Sequence, residues 1–441
     1  MTYKVSIFRI TLLIVSFFLT GCDKEKIPLS GKREAFIPLD FQLKPDPSIS
    51  TQNRMTKIQV PIVNNEWLQN TFNCYHSIPV LSISDHLTLK WSVPLGQSTS
   101  DYQRLLSTIV VSENVAYGLN TQGIITALKI DSSKPTILWK KPLASQHSSQ
   151  EILGGGLAIE VDRIFATTSD GEILSLDKRN GEILWRANVS IPIRTPPTVK
   201  NGQVFALTIS NEVFCFDANT GHQKWSHSGI PEQSALLGGS SPAVADDVVI
   251  VAYSSGEIYA LQVENGHPLW SDTLSSTARI DTVSSIPHIH ACPVINKEQV
   301  FAVSHGGRMV AIDLKTGVRQ WQREIGGTQT PVITDEWVFV VNSHGEVFCL
   351  DRHSGLIKWV SSLPHTNEID KEESIFWSGP IIANSELVFV GSNGEVRFID
   401  IKDGKRSSKS LKIERAFFLP PIIVNKTLYV LTNQAELYAW S

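Results

Sequence analysis

The chain ends with Leu428-Tyr-Val-Leu-Thr-Asn-Gln-Ala-Glu-Leu-Tyr-Ala-Trp-Ser441, which is the first part of a unit that recurs along the sequence. In other copies a tail of the form Asp-x-x-x-Gly-x-x-x-Trp follows, and Ser441 occupies the position of its aspartate. A repeat that stops early leaves its last sheet one strand short. The segment Leu87-Thr-Leu-Lys-Trp-Ser-Val93 has the composition of the missing strand. We therefore expect the two ends of the repeat array to pair.

The unit can be aligned in eight copies, each with an apolar strand, a turn, a second strand and a further turn before an outer strand. Turns such as Ser169-Asp170-Gly171 favour tight hairpins because glycine tolerates positive φ. The apolar strands begin at Val115, Ile164, Val204, Val249, Val300, Val338, Val388 and Leu428. The tryptophans of the outer strands are Trp91, Trp139, Trp185, Trp225, Trp270, Trp321 and Trp359, and Ser408 replaces the one expected in the seventh unit.

Four short strands per unit, with no helical stretch between them, predict antiparallel blades around an axis. A single blade cannot bury both of its faces, so the ring must close to be stable. We predict an all-β fold: an eight-bladed β-propeller of four-stranded antiparallel blades. The N-terminal strand around Trp91 is expected to complete the last blade.

The repeated tryptophan admits a cofactor interpretation and a structural one. A large rigid ring at one position of each outer strand is better explained as a wedge between neighbouring blades. The aspartate and glycine that precede it organise the turn. We therefore expect no cofactor at these residues.

The N-terminal residues have the pattern of a lipoprotein signal peptide. Lys4 and Arg9 flank a basic region, an apolar run of ten residues follows, and Leu19-Thr-Gly-Cys22 resembles a bacterial lipobox. Ten residues are too few to cross a bilayer as a helix, which needs about 20. We expect residues 1–21 to be removed, Cys22 to be acylated, 22–66 to be a flexible tether and 67–441 to form the propeller.

Charge and cysteine content narrow the possible partners. Without the signal peptide the chain has 43 acidic and 37 basic side chains, and it has no clustered basic footprint for nucleic acid. The remaining cysteines are Cys74, Cys215, Cys292 and Cys349. Buried thiols are the simplest interpretation. A disulfide between Cys74 and Cys292 stays open as an alternative.

The whole chain from Cys22 resembles the BamB family of outer-membrane β-barrel assembly lipoproteins, whose propellers are built from PQQ-type repeats. The stretches that carry the resemblance are Leu236-Leu-Gly-Gly-Ser-Ser-Pro-Ala-Val244, Tyr253-Ser-Ser-Gly-Glu-Ile-Tyr-Ala-Leu261, Glu264-Asn-Gly266 and Ile325-Gly-Gly-Thr-Gln-Thr-Pro331. The resemblance implies a non-catalytic scaffold on the periplasmic face of the outer membrane. It also implies binding to the POTRA domains of BamA and to other BAM subunits, with unfolded outer-membrane proteins as further candidates for contact.

In that family two loops of adjacent blades contact BamA. The first falls on Ser234-Ala235-Leu236-Leu237, where Leu237 holds the place of an arginine. The second falls on His288-Ile-His290, where two acidic residues are replaced. The resemblance therefore gives the location of a partner site, and the long connections around it are where binding usually lies on a rigid scaffold.

Three alternatives remain. The repeat is shared with PQQ-dependent dehydrogenases, but in that family a disulfide joins neighbouring cysteines, and this sequence has no adjacent pair. His288 and His290, with Asp281, are candidate metal ligands, although two histidines need further ligands for a zinc site and none is expected. The third alternative is a scaffold of another envelope complex. Asp23 resembles an inner-membrane retention signal, so the sequence leaves open which of the two membranes holds the protein.

Overall fold

Each repeat folds into one four-stranded antiparallel sheet, and eight such blades form a β-propeller, as predicted. The computed structural model describes residues 43–50, 59–96, 105–131, 134–143, 154–232, 236–275, 287–366 and 374–441. The predicted signal peptide, Cys22 and most of the predicted tether lie outside these residues, so the proposed division of the chain stays a prediction.

The strands follow one another from the innermost to the outermost position of each blade. The first four blades comprise β2 (Val110–Ser112), β3 (Val115–Leu119), β4 (Ile124–Lys129) and β5 (Thr136–Pro142); β6 (Gly155–Glu160), β7 (Arg163–Thr168), β8 (Glu172–Asp177) and β9 (Ile183–Asn188); β10 (Thr198–Lys200), β11 (Gln203–Leu207), β12 (Glu212–Asp217) and β13 (Gln223–Ser228); and β14 (Ala243–Val244), β15 (Val248–Ala252), β16 (Glu257–Gln262) and β17 (Pro268–Thr273).

The last four blades follow the same order, except that the outermost strand of the eighth comes from the start of the array. They comprise β18 (Val294–Asn296), β19 (Gln299–Val303), β20 (Met309–Asp313) and β21 (Arg319–Arg323); β22 (Val332–Ile333), β23 (Trp337–Val341), β24 (Glu346–Asp351) and β25 (Ile357–Ser362); β26 (Trp377–Ala383), β27 (Glu386–Gly391), β28 (Glu395–Asp400) and β29 (Arg406–Lys412); and β30 (Ile422–Val424), β31 (Thr427–Leu431), β32 (Glu436–Trp440) and β1 (Leu89–Pro94).

The ring is closed by β1, as the truncated last repeat predicted. This strand pairs antiparallel with β32, so that Trp91 lies opposite Ala439. Backbone hydrogen bonds between Thr88 and Ser441, at 3.1 and 3.2 Å, continue the pairing to the last residue of the chain. The two ends of the array thus share one sheet.

Neighbouring blades are joined by the repeated tryptophans. The indole N–H of Trp185, for example, donates a 2.8 Å hydrogen bond to the carbonyl of Ala218 in the next blade. The ring also covers the glycine of that blade's outer turn, so that an added Cβ at Gly221 would lie 2.7 Å from it. The pairs with this packing are Trp139 and Gly181, Trp185 and Gly221, Trp225 and Gly266, Trp270 and Gly317, Trp321 and Gly355, and Trp359 and Gly404.

The packing of each tryptophan on a turn glycine of the next blade also explains why the seventh blade has no tryptophan. In the eighth blade the outer strand is β1, which comes from the start of the array, so no continuous turn joins it to β32. A tryptophan at Ser408 would therefore have no turn glycine to cover.

A stretch that precedes β1, residues 62–83, follows the inner strands around the ring and is here called the axial segment. It makes hydrogen bonds with the innermost strands of seven blades. The bonded pairs are Asn64 with Ile423, Trp67 with Val111, Leu68 with Ile159, Gln69 with Val199, Cys74 with Val244, Tyr75 with Ile295, and Leu81 with Ile382. Since these partners lie near the ends of the inner strands, the axial segment closes the channel on the side where those strands end.

Part of the predicted tether is held against the propeller. The backbone N–H of Asp46 donates a 2.8 Å hydrogen bond to the carbonyl oxygen of Ile357 at the edge of β25. In return, Oδ2 of Asp46 accepts a 2.6 Å hydrogen bond from the backbone N–H of Ile357. The short helix α1 (Pro47–Ser50) follows this contact. The sequence did not predict it, because the segment has neither a repeat nor an alternating pattern. In the described part of the chain, no helix is long and apolar enough to span a membrane.

The four described cysteines are free thiols, so the Cys74–Cys292 disulfide left open above is not formed. The reason is their position in the ring. The carbonyl of Cys74 bonds Val244 where β14 ends, whereas the sulfur of Cys292 accepts a 3.3 Å hydrogen bond from Ser241, just before β14 begins.

Candidate partner-binding site

The candidate site lies on the side of the ring where the inner strands begin. Connections from an outer strand to the next inner strand meet here. Residues 229–242, 274–293 and 363–376 form three of the longest, and 324–331 a shorter one. Because the blades hold the ends of each connection, this face can present loops in a defined arrangement.

Two hydrogen bonds join the loops predicted to contact a partner. The backbone N–H of Leu236 donates to Nδ1 of His288 over 2.9 Å. Nε2 of His290 lies 3.1 Å from the carbonyl oxygen of Leu237. Residues far apart in the sequence thus form one surface, and its role in binding a partner stays a prediction.

His288 is buried, so it supports this surface and does not present its ring to solvent. Burial lowers its pKa to about 3, and the nearby His290 and His305 act in the same direction. The ring is therefore neutral at pH 7. Because Nδ1 accepts the hydrogen bond from Leu236, the proton lies on Nε2.

His290 connects the second loop to a third one. Its Nδ1 lies 3.2 Å from the carbonyl oxygen of Thr328, and its Nε2 faces Leu237. Burial lowers the pKa of His290, although the two carbonyl contacts act in the opposite direction. A second link in this region joins the N–H of Cys292 to Oγ1 of Thr330 at 3.1 Å.

Leu237 is the exposed part of this surface. Its side chain is 43% exposed, whereas Leu236 is half-buried. Gly238 follows with φ +93°, and a Cβ there would lie 2.8 Å from Nε2 of His290. This close approach requires glycine directly after Leu237. Ser234 and Ala235, the other two predicted residues of the loop, lie outside the described residues.

The loops surround the mouth of a cavity of about 660 Å³ in the centre of the ring. Its wall includes Leu237 and His290 and also Trp67 and Thr71 of the axial segment. Sequence reasoning missed this cavity, because the axial segment has no repeat that would place it. The stretch that contains Thr328 and Thr330 contributed to the family resemblance, but no spacing rule predicts its bonds to neighbouring loops.

A model of the family described as outer membrane protein assembly factor BamB matches residues 121–361, more than half of the chain. The chain belongs to the BamB family. A relative of that name from Moranella endobia is 25% identical over 358 residues, which cover 79% of this chain and 89% of the relative.

Two solved structures share the fold of this BamB-family chain. The crystal structure of BamB from Moraxella catarrhalis aligns with a TM-score of 0.67 and 19% identity, and covers 81% of this chain and 100% of that one. A europium-containing methanol dehydrogenase aligns with the same TM-score and 14% identity, and covers 86% and 98%. At these identities both alignments show the propeller fold alone.

The metal alternative concerns two histidines on this BamB-family surface. The rings of His288 and His290 lie 5.7 Å apart between centroids and meet edge to face. One nitrogen of His288 and both nitrogens of His290 already face backbone groups. Within the described ranges, no group of three or more His, Cys, Asp or Glu side chains is arranged to hold a metal ion. Asp281, the nearby acidic residue considered with them as a candidate ligand, lies outside these ranges.

Proposed function

We propose that this chain is a non-catalytic scaffold lipoprotein of the BAM complex, which assists folding and insertion of outer-membrane proteins. In this proposal Cys22 carries the lipid anchor on the periplasmic face of the outer membrane. The surface formed by 236–239 and 287–290 binds POTRA domains of BamA. Family membership and the names of the relatives support the assembly role.

The observation that carries the partner site is the exposed Leu237 on loops that are fixed to each other. A leucine that is 43% exposed on a rigid surface can be buried by a partner with little loss of loop entropy. Since Leu237 stands where family members have an arginine, we expect this contact to depend on apolar burial. Salt should consequently weaken it less than it weakens a contact made by a surface ion pair.

Co-purification tests this proposal. The tagged chain is extracted with detergent from membranes of its own host, and the proteins that accompany it are identified. BamA and other BAM subunits are the expected partners. Their absence would contradict the assignment and favour a scaffold of another envelope complex.

The matched variants are Leu237→Asp and Leu269→Asp. Leu269 lies on β17 and is 47% exposed, so both changes place a carboxylate at a similarly exposed leucine. We expect Leu237→Asp to reduce recovery of BamA about tenfold or more, as is typical for a central interface residue. Leu269→Asp should leave the recovery unchanged. Equal recovery with the two variants would place the contact elsewhere.

An enzymatic role as a PQQ-dependent dehydrogenase fits the cavity poorly. Members of that family use a catalytic carboxylate and a calcium ion held by oxygen ligands. Among the described residues that line the central cavity, none is aspartate or glutamate. Addition of PQQ and calcium, followed by quinone absorbance and alcohol-dependent dye reduction, tests this point. Stoichiometric PQQ binding would support the enzyme alternative.

Which of the two membranes holds the protein depends on Cys22 and Asp23, and both lie outside the described residues. We propose the outer membrane, because the relatives are named as outer-membrane assembly factors. Separation of the two membranes on a density gradient is the direct measurement. Recovery in the inner-membrane fraction would show that Asp23 acts as a retention signal.

A further inference from the structure

The outermost strands of three consecutive blades form a basic surface on the circumference of the ring. They are β29 of the seventh blade, β1 of the eighth and β5 of the first. These strands contain no aspartate or glutamate, and their basic residues are Lys90, Lys140, Lys141, Arg406, Lys409 and Lys412. We call this surface the basic rim. Its charge is opposite to that of the whole chain, which has a net charge of −4 at pH 7.

Most charges of the basic rim have no carboxylate partner. Two of the six form ion pairs with described residues, and both pairs are long. Nζ of Lys409 lies 3.8 Å from Glu386. Nζ of Lys412 lies 3.6 Å from Glu395. The outer strands of the other five blades have five basic residues, of which three are ion-paired: Arg186 with Glu172, Arg319 with Asp272, and Arg323 with Asp46. Ion pairs therefore neutralise the basic rim less than the rest of the circumference.

Exposed apolar side chains lie among these charges. Leu89, Ile137 and Leu138 on β1 and β5 are 53%, 46% and 51% exposed. Lysines alone are explained as protection of an edge strand against pairing with another chain. That explanation does not cover the apolar residues, which make an edge more adhesive. Binding to a membrane surface, by contrast, is strengthened both by apolar area and by attraction of basic residues to anionic lipids.

The composition of the basic rim favours a lipid surface over a protein partner. Five of its six basic residues are lysines, and β29 also has three serines. Protein interfaces are enriched in arginine and aromatic residues and depleted in lysine and serine. The ammonium group of lysine is strongly hydrated, which suits the wet headgroup layer of a bilayer better than a dry interface.

The three strands can act on one bilayer surface. Thr126 of the first blade donates a 2.9 Å hydrogen bond to the carbonyl oxygen of Leu95, directly after β1, so the eighth and first blades pack together. Charges act over about 8 Å at physiological salt, so lysines on flanking blades contribute when the middle blade touches the surface. The described chain also joins the ring nearby, because Asp46 is bonded to β25 of the sixth blade.

From these observations we propose that the basic rim binds the surface of a bilayer that contains anionic phospholipids. The ammonium groups meet the headgroup phosphates, and Leu89, Ile137 and Leu138 enter the boundary between headgroups and acyl chains. This contact goes beyond the anchor proposed at Cys22, because it determines which side of the ring faces the membrane. Contact through the circumference leaves both faces of the ring, including the loop face, accessible to partners.

The test is co-sedimentation of the purified chain from residue 23 onward with lipid vesicles. This protein contains every described strand and lacks Cys22, so no acyl chain holds it on the vesicles. One vesicle preparation is phosphatidylcholine, and the other contains one third phosphatidylglycerol. We expect a partition coefficient at least about tenfold higher for the anionic vesicles, which decreases as salt is added. The excess of acidic side chains in the chain predicts the opposite preference. Equal partitioning into both preparations would overturn the proposal.

Charge-reversal variants locate the binding on the rim. Lys90→Glu combined with Lys140→Glu should lower the partition coefficient for anionic vesicles at least about 25-fold, because each basic residue near a membrane contributes about fivefold. The control combines Lys224→Glu with Lys315→Glu, two exposed lysines on the outer parts of the third and fifth blades. It has the same net charge and should lose less than about threefold. An equal loss in the two proteins would mean that net charge, and not the basic rim, determines binding.

Apolar variants test insertion into the bilayer. Leu138 and Leu269 each lie directly before the tryptophan of their outer strand, and both are about half exposed. Leu138→Ser should lower partitioning about 3- to 10-fold, because less apolar area is buried, whereas Leu269→Ser should leave it unchanged. Equal partitioning of these two variants would contradict the proposed contact.

An acidic protein is the alternative partner, and poly-glutamate serves as its probe. Binding of poly-glutamate without binding of anionic vesicles would assign the basic rim to an acidic protein and overturn the proposal. The vesicle experiment contains no BAM subunit, so its outcome and the recovery of BamA can fail independently of each other.

Discussion

Gly221 lies against the indole ring of Trp185, which belongs to the preceding blade. A Cβ at Gly221 would lie 2.7 Å from the ring, closer than real contacts allow. The same indole donates a hydrogen bond to Ala218, so the turn and the ring fix each other. The repeat motif therefore describes an interface between two blades, with the aspartate and glycine on one side and the tryptophan on the other.

This relationship predicts the effect of Gly221→Ala. Gly221 and Gly202 have the same φ of +73°, but an added Cβ at Gly202 has nothing within 4 Å. Gly202→Ala should cost about 1–2 kcal/mol of unfolding free energy, from backbone strain alone. Gly221→Ala should cost about 1–3 kcal/mol more, because the methyl group displaces Trp185. Urea unfolding of both variants measures the difference, and equal losses would mean that the ring moves aside freely.

The axial segment and the closing strand make separate contributions that truncation can resolve. Deletion of residues 23–58 removes the Asp46 contact and should lower the melting temperature by only a few degrees. Deletion of 23–86 also removes the axial segment and its bonds to seven blades, and should lower it further. Deletion of 23–95 also removes β1 and should have the largest effect, because the eighth blade then loses its outer strand.

Thermal unfolding followed by circular dichroism gives the order of the three truncated proteins. If the protein that lacks residues 23–95 melts at the same temperature as the protein that lacks residues 23–86, then β1 does not hold the ring closed. If the protein that lacks residues 23–86 has the same melting temperature as the protein that lacks residues 23–58, then the axial segment adds no stability.

The closure could be predicted from sequence because a repeat carries its register with it. Because Ser441 occupies the aspartate position, the outer strand of the last unit is missing there, and Trp91 identifies the segment that supplies it. The axial segment has no such register, because the spacing between its contacts with successive blades is irregular. Trp67, Leu68 and Gln69, for example, are consecutive residues that bond three different blades. Its apolar run Ile78-Pro-Val-Leu-Ser-Ile83 signals burial without indicating a partner.

From the sequence the candidate site is predicted only as a location, without the contacts between its loops. Resemblance indicated His288, but its burial and its hydrogen bond to Leu236 depend on how two distant loops meet. Burial of one imidazole and exposure of the neighbouring leucine depend on that packing, which a pattern of single residues does not contain.

His288 should make the fold sensitive to acid. Its pKa is lowered to about 3 by burial, from an ordinary value near 6.5. The folded chain therefore binds fewer protons at this site than the unfolded chain between these values, and stability falls as pH falls. The loss is about 1.4 kcal/mol per pH unit below 6.5, or roughly 2 kcal/mol at pH 5.

His288→Asn provides the comparison, because an amide oxygen can replace Nδ1 as the acceptor for Leu236 but does not titrate. Urea unfolding at pH 7.5 and pH 5.0 should show a smaller loss for the variant by roughly 2 kcal/mol. His76, whose pKa burial lowers to about 4, contributes equally to both proteins. Parallel losses would show that His288 is not protonated on unfolding in this range.

Gly238 should determine how Leu237 is presented to the partner. Its φ of +93° and the 2.8 Å approach of a Cβ to His290 mean that Gly238→Ala moves the loop or breaks the Leu237–His290 contact. Gly307→Ala is the control, because Gly307 has φ +105° and nothing within 4 Å of its Cβ position. Both variants carry a similar backbone strain of about 1–2 kcal/mol. Recovery of BamA from solubilised membranes should fall severalfold for Gly238→Ala and stay constant for Gly307→Ala, whereas equal recovery would show that the orientation of the loop does not matter for binding.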